Sequence, residues 1–196
     1  MKKVLIILLF IPLVSFGQTS HEYLKSGVIK YDKGDYDGAI SDYTKAIELN
    51  PDSNLYYNRA QAKRILEDYY GAISDYTKAI ELNSANSIAY YNRGGIKKVL
   101  KDYERSIPDF TKAIELNPNY TDAYFARGGS KYSLKDYYGA LSDFNKLIEL
   151  SPTYPSAYLN RAIAKHYIAV DACADARKAK ELGDANADRL IEAICN

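Results

Sequence analysis

The 196-residue chain has no tryptophan, a single methionine, two cysteines and two histidines. The histidines, His21 and His166, stand far apart, and no HExxH pair or cluster of metal-ligating side chains surrounds either one. Acid–base or metal chemistry built on histidine therefore has no constellation to use. A glycine-rich loop between a strand and a helix is also missing, which removes the usual cradle for a nucleotide phosphate. No cofactor or metal is implied, and the chain does not read as an enzyme. It also lacks an excess of one charge: 26 Lys and Arg stand against 25 Asp and Glu, a net charge of +1. Nucleic acid and anionic membranes attract a basic face, so neither is an implied partner.

Long apolar runs are absent apart from one at the N-terminus. Lys2 and Lys3 precede an unbroken apolar stretch from Val4 to Leu9 that continues through Val14 and Phe16. Residues 1–17 read as a secretory signal peptide, with Ser15 and Gly17 as the small residues before a cut at Gln18. The stretch is short for a membrane span, and an uncleaved anchor is the alternative. No cysteine follows it, which disfavours a lipid anchor. The expected product, residues 18–196, is exported to the periplasm or secreted. Without Lys2 and Lys3 it is close to neutral, and no later segment approaches spanning length.

What the remaining chain does contain is repetition. A pattern exemplified by KDYERSIPDFTKAIELNPNY, ending at Tyr120, recurs about five times at a spacing of 33 to 34 residues. The copies are 20–52, 53–86, 87–120, 121–154 and 155–184, and they abut without a Pro/Gly/Ser-rich linker. Such a period signals an array of like units. In the third copy, apolar positions through Ile88, Ala89, Tyr90, Tyr91, Gly94 and Leu100 predict one helix, A. Asp102 then sits where an N-cap belongs, as do Asp35, Asp68 and Asp136 in their copies. A second helix, B, follows through Tyr103, Ile107, Phe110, Ala113 and Ile114 and stops at Asn117-Pro118. Each copy is thus a helical hairpin. Pro108, inside helix B, predicts a kink or a late start there.

Small residues recur where the two helices would approach: Gly27, Ala60, Gly94, Gly128 and Ala162 on A, and Ala39, Ala72, Ser106, Ala140 and Ala172 on B. Tyr43, Tyr76, Phe110 and Phe144 would fill the space beside them. Tyr36, Tyr69, Tyr103 and Tyr137 are assigned to packing at the hairpin. In register, Tyr90, Gly94, Tyr103, Phe110, Ala113 and Pro118 resemble the tetratricopeptide repeat family, over nearly all of the chain after the leader. Ser84 for Pro, Leu147 for Ala and a fifth copy about two residues short between its helices depart from that consensus. The resemblance implies an all-α fold: a right-handed superhelical α-solenoid of about five hairpins, closed here by a capping helix at about 185–195.

Charges repeat as well. Arg59, Arg93, Arg127 and Arg161 share one position on helix A, where the first copy has Ser26; Asp42, Asp75, Asp109, Asp143 and Asp175 share one on helix B. Because the first copy lacks both a predecessor and an Arg, each Arg is expected to pair with the Asp of the copy before it: Asp42 with Arg59, Asp75 with Arg93, Asp109 with Arg127 and Asp143 with Arg161. Asp175 would be left for Arg189.

Cys173 and Cys195, an even count in a chain expected to be exported, suggest a disulfide between the last two helices. Leu190, Ile191 and Ile194 would then cover the apolar end of the array.

The resemblance also implies a concave face made by the A helices, where a protein or peptide segment would bind. By position that groove shows Leu24, Tyr57, Tyr91, Phe125 and Leu159, with Asn58, Asn92 and Asn160 beside them and Gln61, Lys98, Tyr132 and His166 further along. Tyrosines offer contact area at low entropic cost, and amides can bond an extended backbone. For the aromatic positions, ligand contact and partial self-packing stand as equal alternatives. The first copy carries Leu24 and Val28 where chaperone-tail binders have Lys and Asn, so binding of that kind is not expected. An exported interaction scaffold is the leading expectation, an accessory subunit of an envelope assembly the second, and an enzyme-associated processing factor the third.

Overall fold

A computed structural model describes residues 18–195, and these form eleven helices with no strand among the described residues. The predicted signal peptide lies outside them. The helices are α1 (Ser20–Asp32), α2 (Tyr36–Leu49), α3 (Ser53–Ile65), α4 (Tyr69–Leu82), α5 (Ser87–Val99), α6 (Tyr103–Leu116), α7 (Thr121–Ser133), α8 (Tyr137–Leu150), α9 (Pro155–Tyr167), α10 (Cys173–Glu181) and α11 (Ala187–Ile194). Odd-numbered helices up to α9 are the A helices, and even-numbered ones the B helices. Each packs on the next in sequence, so the chain is an α-solenoid with mostly local contacts.

The first four hairpins turn by one device. Asp35 and its equivalents Asp68, Asp102 and Asp136 accept a backbone N–H three residues on, capping helix B. The residue before each cap has positive φ: Gly34 at 81°, Glu67 at 60°, Lys101 at 60° and Lys135 at 63°. This left-handed residue lets the Asp35 N–H reach the Lys30 carbonyl at 2.9 Å, the closure of a Schellman turn. Pro108 neither delays nor interrupts its helix: α6 begins at Tyr103, as the other B helices begin at Tyr36, Tyr69 and Tyr137.

Close approach of the two helices explains Gly27 and the first glycine of each Gly-Gly pair. A Cβ would lie 2.6 Å from the Tyr43 ring at Gly27, 3.0 Å from the Phe110 ring at Gly94 and 2.8 Å from the Phe144 ring at Gly128. Tyr43, Tyr76, Phe110 and Phe144 fill that space and are buried, as expected. Ser106 is compensated: buried among apolar neighbours, its hydroxyl bonds the Ser130 hydroxyl at 2.9 Å, so neither polar group is orphaned.

The fifth hairpin is different. Its B helix, α10, has 9 residues against 14 in the other four, and it begins only at Cys173. Ala172 precedes it as the N-cap residue and is buried against Ala162 and Ala176. The final helix α11 lays Leu190, Ile191 and Ile194 over that cluster, while Leu190 also meets Leu159, Ala179 and Ala187. An eight-residue helix is marginal alone, so tertiary packing must hold it. The Cys173–Cys195 disulfide, with Cα atoms 5.5 Å apart, ties its end to the start of α10.

Two tests follow from this packing. Gly128→Ala should destabilise by about 1 to 3 kcal/mol through overpacking against Phe144. Gly95→Ala, whose Cβ would meet nothing within 4 Å, should stabilise by about 1 kcal/mol. Urea unfolding of both variants reads the opposite signs. Replacing both cysteines with serine opens a bridge spanning 22 residues and should cost about 3 kcal/mol, seen as a lower Tm under non-reducing conditions.

Candidate binding groove

The repeated charges form the scaffold against which the groove is built. Arg59 binds Asp75 through Nε at 2.9 Å and Nη2 at 2.7 Å. Arg93 holds Asp109 in the same two-pronged way, as Arg127 holds Asp143 and Arg161 holds Asp175. These pairs lie within a hairpin, and the inter-repeat pairing expected from the sequence is incorrect. Helices A and B of one hairpin run antiparallel, which puts residues sixteen apart at the same height. Arg189 likewise does not take Asp175, which Arg161 and Lys165 occupy.

Each arginine still crosses the repeat boundary, by a different atom. Its Nη1 donates to Thr44, Thr77, Thr111 or Asn145 on the preceding B helix, at 2.9 to 3.0 Å. The first hairpin has Ser26 instead, and its hydroxyl donates to Asp42 at 2.6 Å. The tyrosine three residues before each arginine, such as Tyr90 before Arg93, lies under the guanidinium at 5.4 to 5.7 Å.

Every one of these carboxylates also meets a lysine: Lys30, Lys63, Lys97, Lys131 and Lys165 reach Asp42, Asp75, Asp109, Asp143 and Asp175 at 2.7 to 2.9 Å. Sequence reasoning missed these lysines although they recur in register. Burial alone would push the Asp42 carboxyl up, but hydrogen bonds from Lys30 and Ser26 outweigh it and hold the group below its ordinary range. Asp175 is lowered in the same way: burial raises it, and Arg161 and Lys165 more than reverse that.

On the other side of the A helices lies the groove. Helix α5 meets α7, and α7 meets α9, directly. Side chains bridge successive A helices: from α5 the Asn92 amide donates back to the Tyr57 hydroxyl of α3 at 3.1 Å, and the Lys98 ammonium stands 6.0 Å from the Phe125 ring centre of α7. Tyr57 is half-buried with its ring 5.7 Å from Tyr76; Gln61 accepts from the Tyr76 hydroxyl. Tyr91 packs on Phe110 at 5.9 Å and on Tyr120 at 4.9 Å, and Phe125 on Phe144 and Tyr154. The central aromatics therefore pack inward on one edge and keep another open. Tyr120 and Tyr154, which precede α7 and α9 without capping them, belong to this wall and were not anticipated.

Two clefts open along it. One is lined by Val28, Tyr31, Asp32, Tyr57, Asn58 and Gln61, with Tyr43 behind. The other, of about 290 Å³, is lined by Arg64, Tyr69, Tyr91, Asn92, Gly95 and Val99, with Ile96 beneath. Tyr69, assigned to packing from the sequence, does pack on the core around Tyr76 but also edges this cleft. Towards the two ends of the array the expected residues do less. Leu24 and Leu159 join apolar clusters, and Asn160 donates back to the Ser156 carbonyl of its own helix at 2.7 Å. Tyr132 packs at an angle on Tyr137 and edge-on to Tyr167, and burial, followed by its hydrogen bond with Tyr167, raises its phenol to about 12. His166 is exposed beside Tyr167. Among the described residues no group of His, Cys, Asp and Glu could hold a metal ion, and no helix is long and apolar enough to cross a membrane.

A solenoid of helical hairpins with an inner wall of this kind defines an interaction scaffold. Tetratricopeptide repeat patterns match residues 53–86, 87–120 and 121–154, and a TPR repeat pattern matches 27–63. The chain belongs to the tetratricopeptide repeat family, whose members serve in general as non-enzymatic protein–protein interaction scaffolds. Among solved structures, it is similar to that of MamA protein, at 26% identity over 86% of this chain and 94% of that one, with a TM-score of 0.80. YrrB, described as a TPR protein with an unusual peptide-binding site, shares the fold at 23% identity, 89% and 92% coverage and a TM-score of 0.80. A tetratricopeptide repeat protein from Parabacteroides merdae shares it at 22% identity, 92% and 68% coverage and a TM-score of 0.75. No curated protein matches the chain.

The carboxylate clamp can be tested directly. Asp109→Asn leaves Arg93 and Lys97 without an anion in a site where the Asp is 5% exposed and should destabilise by about 3 kcal/mol in urea unfolding. Because the folded pKa values of Asp42 and Asp175 lie below their ordinary 3.8, their contribution is complete above that value and lost as pH falls through the lower folded values. Unfolding free energy should therefore be flat above about pH 5 and drop steeply below about pH 4.

Proposed function

We propose that this protein is an exported scaffold that holds a protein or peptide segment in the groove of its A helices. The observation that carries the reading is the half-open aromatic and amide wall of Tyr57, Asn58, Gln61, Tyr91, Asn92 and Phe125, with clefts between successive helices. Rings already ordered by neighbours lose little entropy on contact with a ligand, and side-chain amides bond an extended backbone. Lys98 and Tyr132 extend the same wall, with Asn160 and His166 at its far end. YrrB, of the same fold, is described as peptide-binding, which agrees with this reading. Export rests on the leader-like residues 1–17 and agrees with the disulfide, since such bonds persist in oxidising compartments.

The test is a pull-down from envelope and cytosolic fractions of the source cell with wild-type protein and with Tyr57→Ala/Tyr91→Ala. A stoichiometric partner from the envelope fraction, lost at least tenfold in the double variant while the variant keeps its Tm, is expected. A partner retained by the double variant overturns the groove, and one found only in the cytosolic fraction overturns export.

A further inference from the structure

We infer that the groove selects an acidic segment, whose Asp or Glu side chains seat against Arg64 and Lys98. This rests on the groove reading above and adds the chemistry of the ligand. The five hairpins differ from one another at one inner position. In the last turn of every A helix one lysine is committed to the buried aspartate of its own hairpin: Lys30, Lys63, Lys97, Lys131 and Lys165. The next residue turns to the inner face and varies: Tyr31, Arg64, Lys98, Tyr132 and His166. Only the second and third hairpins place a permanent cation there.

Among the described residues neither cation is paired with a carboxylate. Arg64 lines the cleft with Tyr91 and Asn92, and its polar neighbours are neutral: the Gln61 amide oxygen at 3.4 Å and the Tyr76 hydroxyl. Lys98 lies across to the next A helix, where a Cβ on Gly129 would stand 3.0 Å from its Nζ, and its other neighbour is the Phe125 ring. Burial lowers the Lys98 ammonium, with no anion acting against it. A half-buried ammonium that has lost water and gained no counter-charge is favoured by an incoming carboxylate. Asp32 lines the neighbouring cleft and Asp122 lies close enough to Tyr91 to raise its phenol, so the basic character is confined to Arg64 and Lys98. It is therefore too short for a polyphosphate backbone, which needs a continuous basic track. Two cations one hairpin apart suit carboxylates spaced along a segment better than a single chain terminus.

The test is selection of random twelve-residue peptides, displayed with an amidated or fused C-terminus, on the full chain and on Arg64→Gln/Lys98→Gln, with Lys98→Arg as the charge-preserving control. Circular dichroism melts check that both variants, and the Tyr57→Ala/Tyr91→Ala variant run beside them, keep the wild-type Tm. Peptides selected by the wild type should be at least twofold enriched in Asp and Glu over the input. Their affinity should fall at least tenfold in the double variant, persist in Lys98→Arg, and weaken as salt rises. Neutral or basic winners that still depend on Tyr57 and Tyr91 overturn the acidic specificity and leave the groove standing. Acidic winners indifferent to the double variant overturn the site, as does displacement of the peptides by an oligothymidylate. If no peptide is enriched, the groove reading and this inference both fall.

Discussion

The clamp on one buried carboxylate per hairpin is the constraint around which the array is organised. An aspartate removed from water is unfavourable unless its oxygens are met by donors, and here each is met by a lysine together with an arginine or, in the first hairpin, a serine. The donors come from helix A and the acceptor from helix B, so the contact is satisfied only when the hairpin is closed in one register. The arginine then spends its remaining nitrogen on the helix before it. One side chain thereby couples closure within a hairpin to stacking between hairpins, while apolar contacts at Tyr76, Phe110 and Phe144 supply most of the burial.

The clamp also clarifies how the groove is populated. No buried side-chain polar atom among the described residues lacks a hydrogen-bond partner. Scaffold polarity is therefore accounted for on the side of the A helices that faces their own B helices. The groove side carries what is left: rings with one packed edge, amides, and cations with no anion.

Much of this was legible in the chain. The period, the aspartate caps and the small residues beside aromatic rings each reflect a local rule, and each fixes a position along a hairpin. Pairing was not legible in the same way. In a periodic chain the aspartate sixteen residues after Arg59 and the one seventeen before it occupy equivalent register positions, and only the antiparallel geometry of the hairpin chooses Asp75 over Asp42. The first hairpin, with Ser26 in place of the arginine, has no B helix before it among the described residues and hence no Thr44-type acceptor there. Tyr120 and Tyr154 escaped notice because the equivalent positions in earlier hairpins, Asp52 and Asn86, are ordinary polar caps. Only the three-dimensional stack shows that a ring there completes a wall.

Because the lysine in each last turn is occupied and the residue after it is not, neighbouring positions on the same helix differ in how freely they can change. Substituting the first disturbs a closed ionic lock; substituting the second leaves that lock intact. A lineage could thus rewrite the address carried by such a stack, one hairpin at a time, on an unchanged frame. The difference among Tyr31, Arg64, Lys98, Tyr132 and His166 has the form such a history would leave.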